Sequence, residues 1–343
     1  MDSIIKQSIE TILNNLKNEF DIDQKNILVT GGAGFLGSWI CDILVEKRAN
    51  VICLDNFTSG LKENISHLFD EDNFEFINHD ITQPIHFDKK LDLILHLASR
   101  ASPFEFEKFP IQILKANTLG TWIVLGIAKG NSCPLLFAST SEIYGNPPPE
   151  KVPTPEEYYG NVNPIGPRSC YDEAKRAGEA FVISYYLQHN LDVRIVRIFN
   201  TYGPRMRSGD VYGRVIPRFI EQALKNQPIT VFGDGTQTRS FIFVSDEVEA
   251  IIRAALLPSA RGKVMNIGSE MEFKIIDLAK IIKNLTKSSS EITFNPLPKD
   301  DPLRRSPDIS KAKKILNWEP KISLVKGLEL TIEWYRKKLE INK

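Results

Sequence analysis

The stretch KNILVTGGAGFLG, residues 25–37, constrains this chain more than any other. Ile27–Thr30 is a short apolar run of the kind that forms a strand buried on both faces of a parallel sheet. Gly31, Gly34 and Gly37 follow at three-residue spacing and open an amphipathic helix. Gly31 permits the tight strand-to-helix turn, Gly34 lets a ligand approach the backbone, and Gly37 lets helix and strand pack closely. A second strand, Val51–Leu54, ends at Asp55, 18 residues past Gly37. Together these are the parts of a dinucleotide site, in which helix amides take the pyrophosphate and the carboxylate takes the ribose hydroxyls. An acid at this point repels a 2′-phosphate, so NAD is expected rather than NADP.

The chain continues with further strands at Phe74–Ile77, Leu93–Leu97 and Leu135–Ala138, and a helix near Ile111–Lys129. That alternation predicts an α/β fold with a doubly wound parallel sheet of the Rossmann type. Ahead of it, apolar residues at Ile5, Ile9, Ile12, Leu13, Leu16 and Phe20 have a helical period. A helix packed on the body of the protein is expected there, and its interior charges argue against a signal peptide or a spanning segment. The expected organisation is residues 1–24 as this helix, 25–198 as the nucleotide-binding domain carrying the catalytic residues, and 199–343 mainly as a smaller α/β substrate lobe. The chain is free to cross back between lobes.

Basic and acidic residues number 43 each, so no polyanion-binding surface is implied and nucleic acid is not an expected partner. Cys41, Cys53, Cys133 and Cys170 show no ligand spacing and read as reduced thiols of a cytoplasmic protein with no metal site and no membrane partner.

Two further segments carry chemistry. In LLFASTSEIYG, a strand delivers Ser139, Thr140, Ser141 and Glu142 to the carboxyl end of the sheet, where ligands bind in open α/β folds. In GPRSCYDEAKR, Tyr171 and Lys175 stand four apart, so both leave one face of a helix. An ammonium beside the phenol is expected to lower the phenol's pKa towards neutrality. The phenolate then takes a proton from an alcohol held by Thr140, while a nicotinamide takes the hydride.

These residues, with GGAGFLGS, HLAS, STSEIYG, YDEAK and FNTYGPR, resemble the extended short-chain dehydrogenase/reductases acting on nucleotide sugars. That group includes epimerases, dehydratases and decarboxylases. NPIGPRSCYDEAKR, RIFNTYGPRM, GDGTQTRSF and DDPLRRSPDISKAKKILNWEP are similar to its UDP-glucuronate decarboxylase branch, from about Lys25 to the C-terminus. Glu142 after the hydroxyls fits that branch; dehydratases typically carry an Asp–Glu pair there and epimerases a small or apolar residue. The resemblance implies oxidation of the sugar at C4 by tightly bound NAD, loss of CO₂ and re-reduction to UDP-xylose. Tyr171, Lys175, Thr140, Glu142 and Arg239 are implied as the catalytic set, and Lys115, Asn200, Arg214, Arg239 and Arg305 as substrate-binding. The implied cofactor contacts are Gly31, Gly34, Phe35, Leu36, Gly37, Asp55, Asn56, Ser59, Gly60, Asp80, Ile81, Leu97, Ser99, Tyr171 and Lys175. A homodimer through the helices around Thr118–Lys129 and Tyr171–His189 is also implied, with Trp122, Val124 and Phe181 at the contact.

The chain departs from the family at three places. Arg100 replaces a proline, Ala116 replaces a common hydroxyl residue, and the loop RSGDVYGRV after Met206 is about two residues longer, which loosens the placement of Arg214. Arg205 reads as a cofactor contact or a structural pin. His79, His96, Cys170 and Trp318 read as structural. Competing readings are a 4-epimerase or 4,6-dehydratase of nucleotide sugars, or a non-catalytic NAD-binding or RNA-binding module.

Overall fold

The computed structural model describes residues 1–16, 19–207, 214–297 and 302–341. Six parallel strands, β1 (Asn26–Thr30), β2 (Asn50–Asp55), β3 (Phe74–Asn78), β4 (Leu93–His96), β5 (Leu135–Thr140) and β6 (Val193–Ile198), form the main sheet. A seventh, Val264–Ile267, pairs in parallel with the outer edge of β6, so the chain re-enters the sheet after building part of the second lobe. The order runs β3-β2-β1-β4-β5-β6 and then the seventh strand. The direction of winding reverses between β1 and β4, which opens a crevice at the carboxyl ends there. Register brings Thr30 opposite both Leu54 and His96, so Gly31, Asp55 and Leu97 emerge at one edge.

Apart from the edge strand β3, which is only partly buried, the β-branched and leucine-rich strands are buried on both faces, as parallel strands covered by helices on each side must be. The helix expected over 111–129 is one continuous rod of three parts: Pro110–Lys115, a π-helical turn at Ala116–Gly120, and Thr121–Asn131. It packs along the 21-residue helix Ser169–His189.

Helix α1 (Ser3–Asn15) is capped by the Asp2 side chain and buries Ile5, Ile9 and Ile12 against α2 (Phe35–Glu46) and the helix Val244–Leu256. Each such side chain contributes about 1.5–3 kcal/mol of burial. Arg253 of the latter helix donates to Glu249, to Glu19 and to the Asn15 carbonyl, fixing the end of α1 to its own subunit.

In the second lobe Thr238–Ser240 pairs with Glu272–Lys274 on one side and Arg304–Arg305 on the other. Arg305 stands opposite Arg239 in that register. Arg205, held in a left-handed conformation at φ 70°, donates to buried Asp42 of α2 at 2.6 Å and lies over Trp39. It pins the second lobe to the first.

Candidate active site

The strand ends and the second lobe enclose one continuous cleft of about 1180 Å³, large enough for a dinucleotide and a sugar nucleotide together. At its floor lies the glycine turn. Gly31 takes φ +72°, and a Cβ at Gly37 would stand 2.2 Å from the Gly31 carbonyl oxygen. Helix α2 begins at Gly34, which has no side chain to cap it, so the first-turn amides beside Phe35 and Leu36 are left for an anion. Asp55 closes β2 with its carboxylate accepting from Ala33 N at 3.0 Å and Phe57 N at 2.8 Å. Burial raises its pKa against the pull of those amides. Asn56, Ser59, Asp80, Ile81, Leu97 and Ser99 line the same end of the cleft. Gly60 lies behind it instead, where a Cβ would approach Asp55 Oδ2 to 2.8 Å. Its part is to leave room for that carboxylate. Asp80 is exposed and already accepts from Thr82 N and Oγ1, which orients it without occupying its second oxygen.

β5 and the helix Ser169–His189 carry the catalytic candidates to the middle of the cleft. Thr140 is in side-chain hydrogen-bonding contact with the Tyr171 phenol, whose ring stacks on Phe106 at 5.0 Å. Lys175 lines the cleft too, but its Nζ donates to the Ala138 carbonyl at 2.7 Å and sits over Phe137. The expected lowering of the phenol by the lysine is not what the protein shows. Burial pushes Tyr171 up, with only the Thr140 contact and Arg214 opposing it. Burial also pushes Lys175 down to about 7, against the pull of Glu179. Both groups have lost water, and the lysine has no carboxylate bonded to it, so spacing alone mispredicted the electrostatics.

Glu142 is clamped by two arginines. Arg305 donates to both its oxygens, one at 2.7 Å, and Arg168 donates to it from the start of the Tyr171 helix. Burial alone would raise its pKa, but the two guanidiniums outweigh that and hold it at about 2. Arg168 Nε also stands 3.7 Å from Asp172 Oδ2. Burial and the neighbouring Glu142 charge push Asp172 up to about 7. Arg168 and Asp172 were not singled out from the sequence, although their i, i+4 spacing astride Tyr171 was the available signal.

Lys115, Asn200, Arg214 and Arg239 also line the cleft. Asn200 Nδ2 donates to the Ser240 carbonyl at 3.1 Å, and Arg239 Nη1 to the Thr238 carbonyl at 2.8 Å. Most of the long loop before Arg214, residues 208–213, lies outside the described residues, as do Asp300 and Asp301 before Arg305. Arg100 pairs with buried Glu105 at 2.7 Å and lies over Phe109, bracing the cleft wall. His96 is buried between the Thr30 and Thr121 hydroxyls, and Cys170 faces the Phe106 carbonyl; both are structural.

A model of the NAD-dependent epimerase/dehydratase family matches residues 27–268, and the chain belongs to that family. NAD is its cofactor, and the glycine cradle, uncapped helix and Asp55 fit that molecule. Among its relatives, UDP-glucuronic acid decarboxylase 1 of Xenopus tropicalis is 48% identical over 93% of this chain and 74% of its own length. UDP-glucuronic acid decarboxylase 6 of Arabidopsis thaliana is 46% identical over 95% of this chain and 93% of its own. The fold also matches a Bacillus cereus UDP-glucuronic acid 4-epimerase in complex with UDP-glucuronic acid and NAD (TM-score 0.81, 28% identity, 91% of this chain and 99% of the other).

The cradle makes a direct prediction. In Gly37→Ala the new methyl meets Gly31 O and, at 2.8 Å, the Gly32 Cα, so α2 must shift away from the turn. Such overpacking costs about 1–3 kcal/mol. The variant is expected to purify without NAD, read from the nucleotide released on denaturation, whereas the wild type retains it.

Proposed function

We propose that this protein decarboxylates UDP-glucuronate to UDP-xylose with NAD regenerated in each turnover. The observation that carries the reading is the placement of Thr140, Tyr171 and Lys175 beside Glu142, Arg239 and Arg305 in one cleft that also holds the glycine turn. Tyr171 takes the proton of the sugar 4-hydroxyl, and Thr140 orients the same oxygen. NAD, when bound against the glycine turn and Asp55, would supply the two-electron acceptor and donor for C4, and its positive charge would favour the phenolate that burial disfavours. Lys175, anchored to the Ala138 carbonyl at 2.7 Å and brought by burial to about 7, stands ready to exchange a proton on the phenol side. The resulting ketone is β to the carboxylate, so the C5–carboxylate bond breaks with its electron pair entering the enolate, which Tyr171 stabilises at O4. Arg239, Arg214, Lys115 and Asn200 hold the sugar diphosphate, guanidinium forks suiting paired oxygens, while Arg305 keeps its fork on Glu142 and shapes the sugar end of the site. Carboxyl-labelled UDP-glucuronate should release labelled CO₂ with this protein; release of none would remove the reading.

A homodimer in a reducing cytoplasm fits the same protein. All four cysteines are free and buried. The stretch Pro110–Asn131 is long and apolar enough, by length and composition, to cross a membrane. Here it packs along Ser169–His189, and the two present exposed Leu119, Trp122 and Phe181. That face is proposed to meet a second copy. Val124, expected at the contact, is instead fully buried in the protein's own core, because it lies on the sheet-facing side of its helix. Trp122→Glu is expected to halve the sedimenting mass; an unchanged mass would remove this assignment.

A further inference from the structure

We propose that a small cavity behind Glu142 is the water-filled route by which a proton reaches the sugar ring carbon, with Asp172 holding that proton. The inference rests on the decarboxylase reading and on its stoichiometry. Breaking the C5–carboxylate bond releases neutral CO₂ and leaves an electron pair in the enolate. The new C5–H bond then needs one proton from solvent in every turnover. The hydroxyl proton taken by Tyr171 does not meet this need, because it returns to O4 on re-reduction.

Glu142 is poorly suited to supply it, being held ionised by two guanidiniums. The main cleft gives poor access to solvent once two nucleotides fill it. A second cavity of about 260 Å³ shares Glu142, Arg168 and Arg305 with that cleft and is otherwise walled by residues that include Asn146, Val162 and Asp172. This is room for several waters. Two buried atoms of its walls, Asp172 Oδ1 and Arg305 Nε, have no hydrogen-bond partner among the described residues. An open acceptor and an open donor in one polar cavity are what a chain of bridging waters satisfies.

The charges fit a proton store. Asp172 is faced by Glu142 at the end of β5, by Arg168 on its own helix, by Arg305 from the second lobe, and by its neighbour Glu173. Burial and the Glu142 charge bring it up to about 7, so its proton is held more tightly than an ordinary carboxyl's. Arg168 lies against both acids and links the store to the cleft.

The test compares wild type, Asp172→Asn and Val162→Phe, the last filling the cavity without changing a charged group. Each is followed through a single turnover of UDP-glucuronate in D₂O across the neutral range. CO₂ release and deuterium uptake at C5 are timed separately. In wild type, C5 labelling should slow as pH rises through about 7, because protonated Asp172 is lost above that value. In Asp172→Asn, labelling should be about a hundredfold slower, a modest share of what a positioned proton donor contributes, and independent of pH in that range. Val162→Phe should slow labelling while CO₂ release keeps the wild-type rate, and it carries the test if Asp172→Asn does not fold. Wild-type labelling rates in both variants, or a pH decline that survives in Asp172→Asn, would overturn the relay alone. A wild type that releases no CO₂ would overturn the relay together with the decarboxylase reading.

Discussion

Replacing Tyr171 with phenylalanine is expected to lower kcat by about a thousandfold, within the range that a positioned acid–base group supplies. The change removes one hydroxyl and little else. The ring keeps its stack on Phe106, and the helix Ser169–His189 keeps its burial against β5. Thr140 loses its phenol partner but still accepts from the Glu142 amide at 3.3 Å. Folding and retained NAD should therefore match wild type, measured by thermal melting and by cofactor content. Binding of UDP-glucuronate should change little, because the arginines proposed to grip it are untouched. A variant that binds both nucleotides yet turns over near the wild-type rate would show that Tyr171 is not the proton carrier.

The second large effect is expected at Glu142. Glu142→Gln preserves shape but leaves the Arg168 and Arg305 guanidiniums, both largely buried, facing a neutral amide. Removing one partner from a buried ion pair costs about 3–5 kcal/mol, and the remaining amide oxygen brings this towards the lower figure. The melting temperature should fall, and the loss should persist at high salt because the cluster is screened little by solvent ions. Activity should fall further than stability explains, since Arg305 is released from its fixed position and Asp172 loses the anion that keeps it protonated. Unchanged stability and a normal rate in Glu142→Gln would mean that the clamp has no part in either.

The unequal legibility of these parts has a physical origin. The glycine turn, the buried strands and the Tyr171–Lys175 spacing are local patterns, set by neighbours within a few residues, and the sequence carries them openly. The seventh strand, Val264–Ile267, is short and interrupted by buried Asn266, and its place beside β6 depends on the path of a whole lobe. The Glu142 clamp was invisible for the same reason: Arg305 is 163 residues from its partner. Lys175 shows a different limit. Its position followed from helical periodicity, whereas its charge depends on how much water the folded cleft removes. Val124 and Trp122 stand two apart on one helix and looked alike as apolar residues; only the packed sheet separates the inward one from the outward one.

The most direct measurement gives the purified protein UDP-glucuronate with no added NAD and identifies the nucleotide sugar formed by proton NMR. The account predicts UDP-xylose, equimolar CO₂ and an oxidised cofactor still bound at the end. UDP-galacturonate with no CO₂ would contradict it and make the protein a 4-epimerase built on the same site.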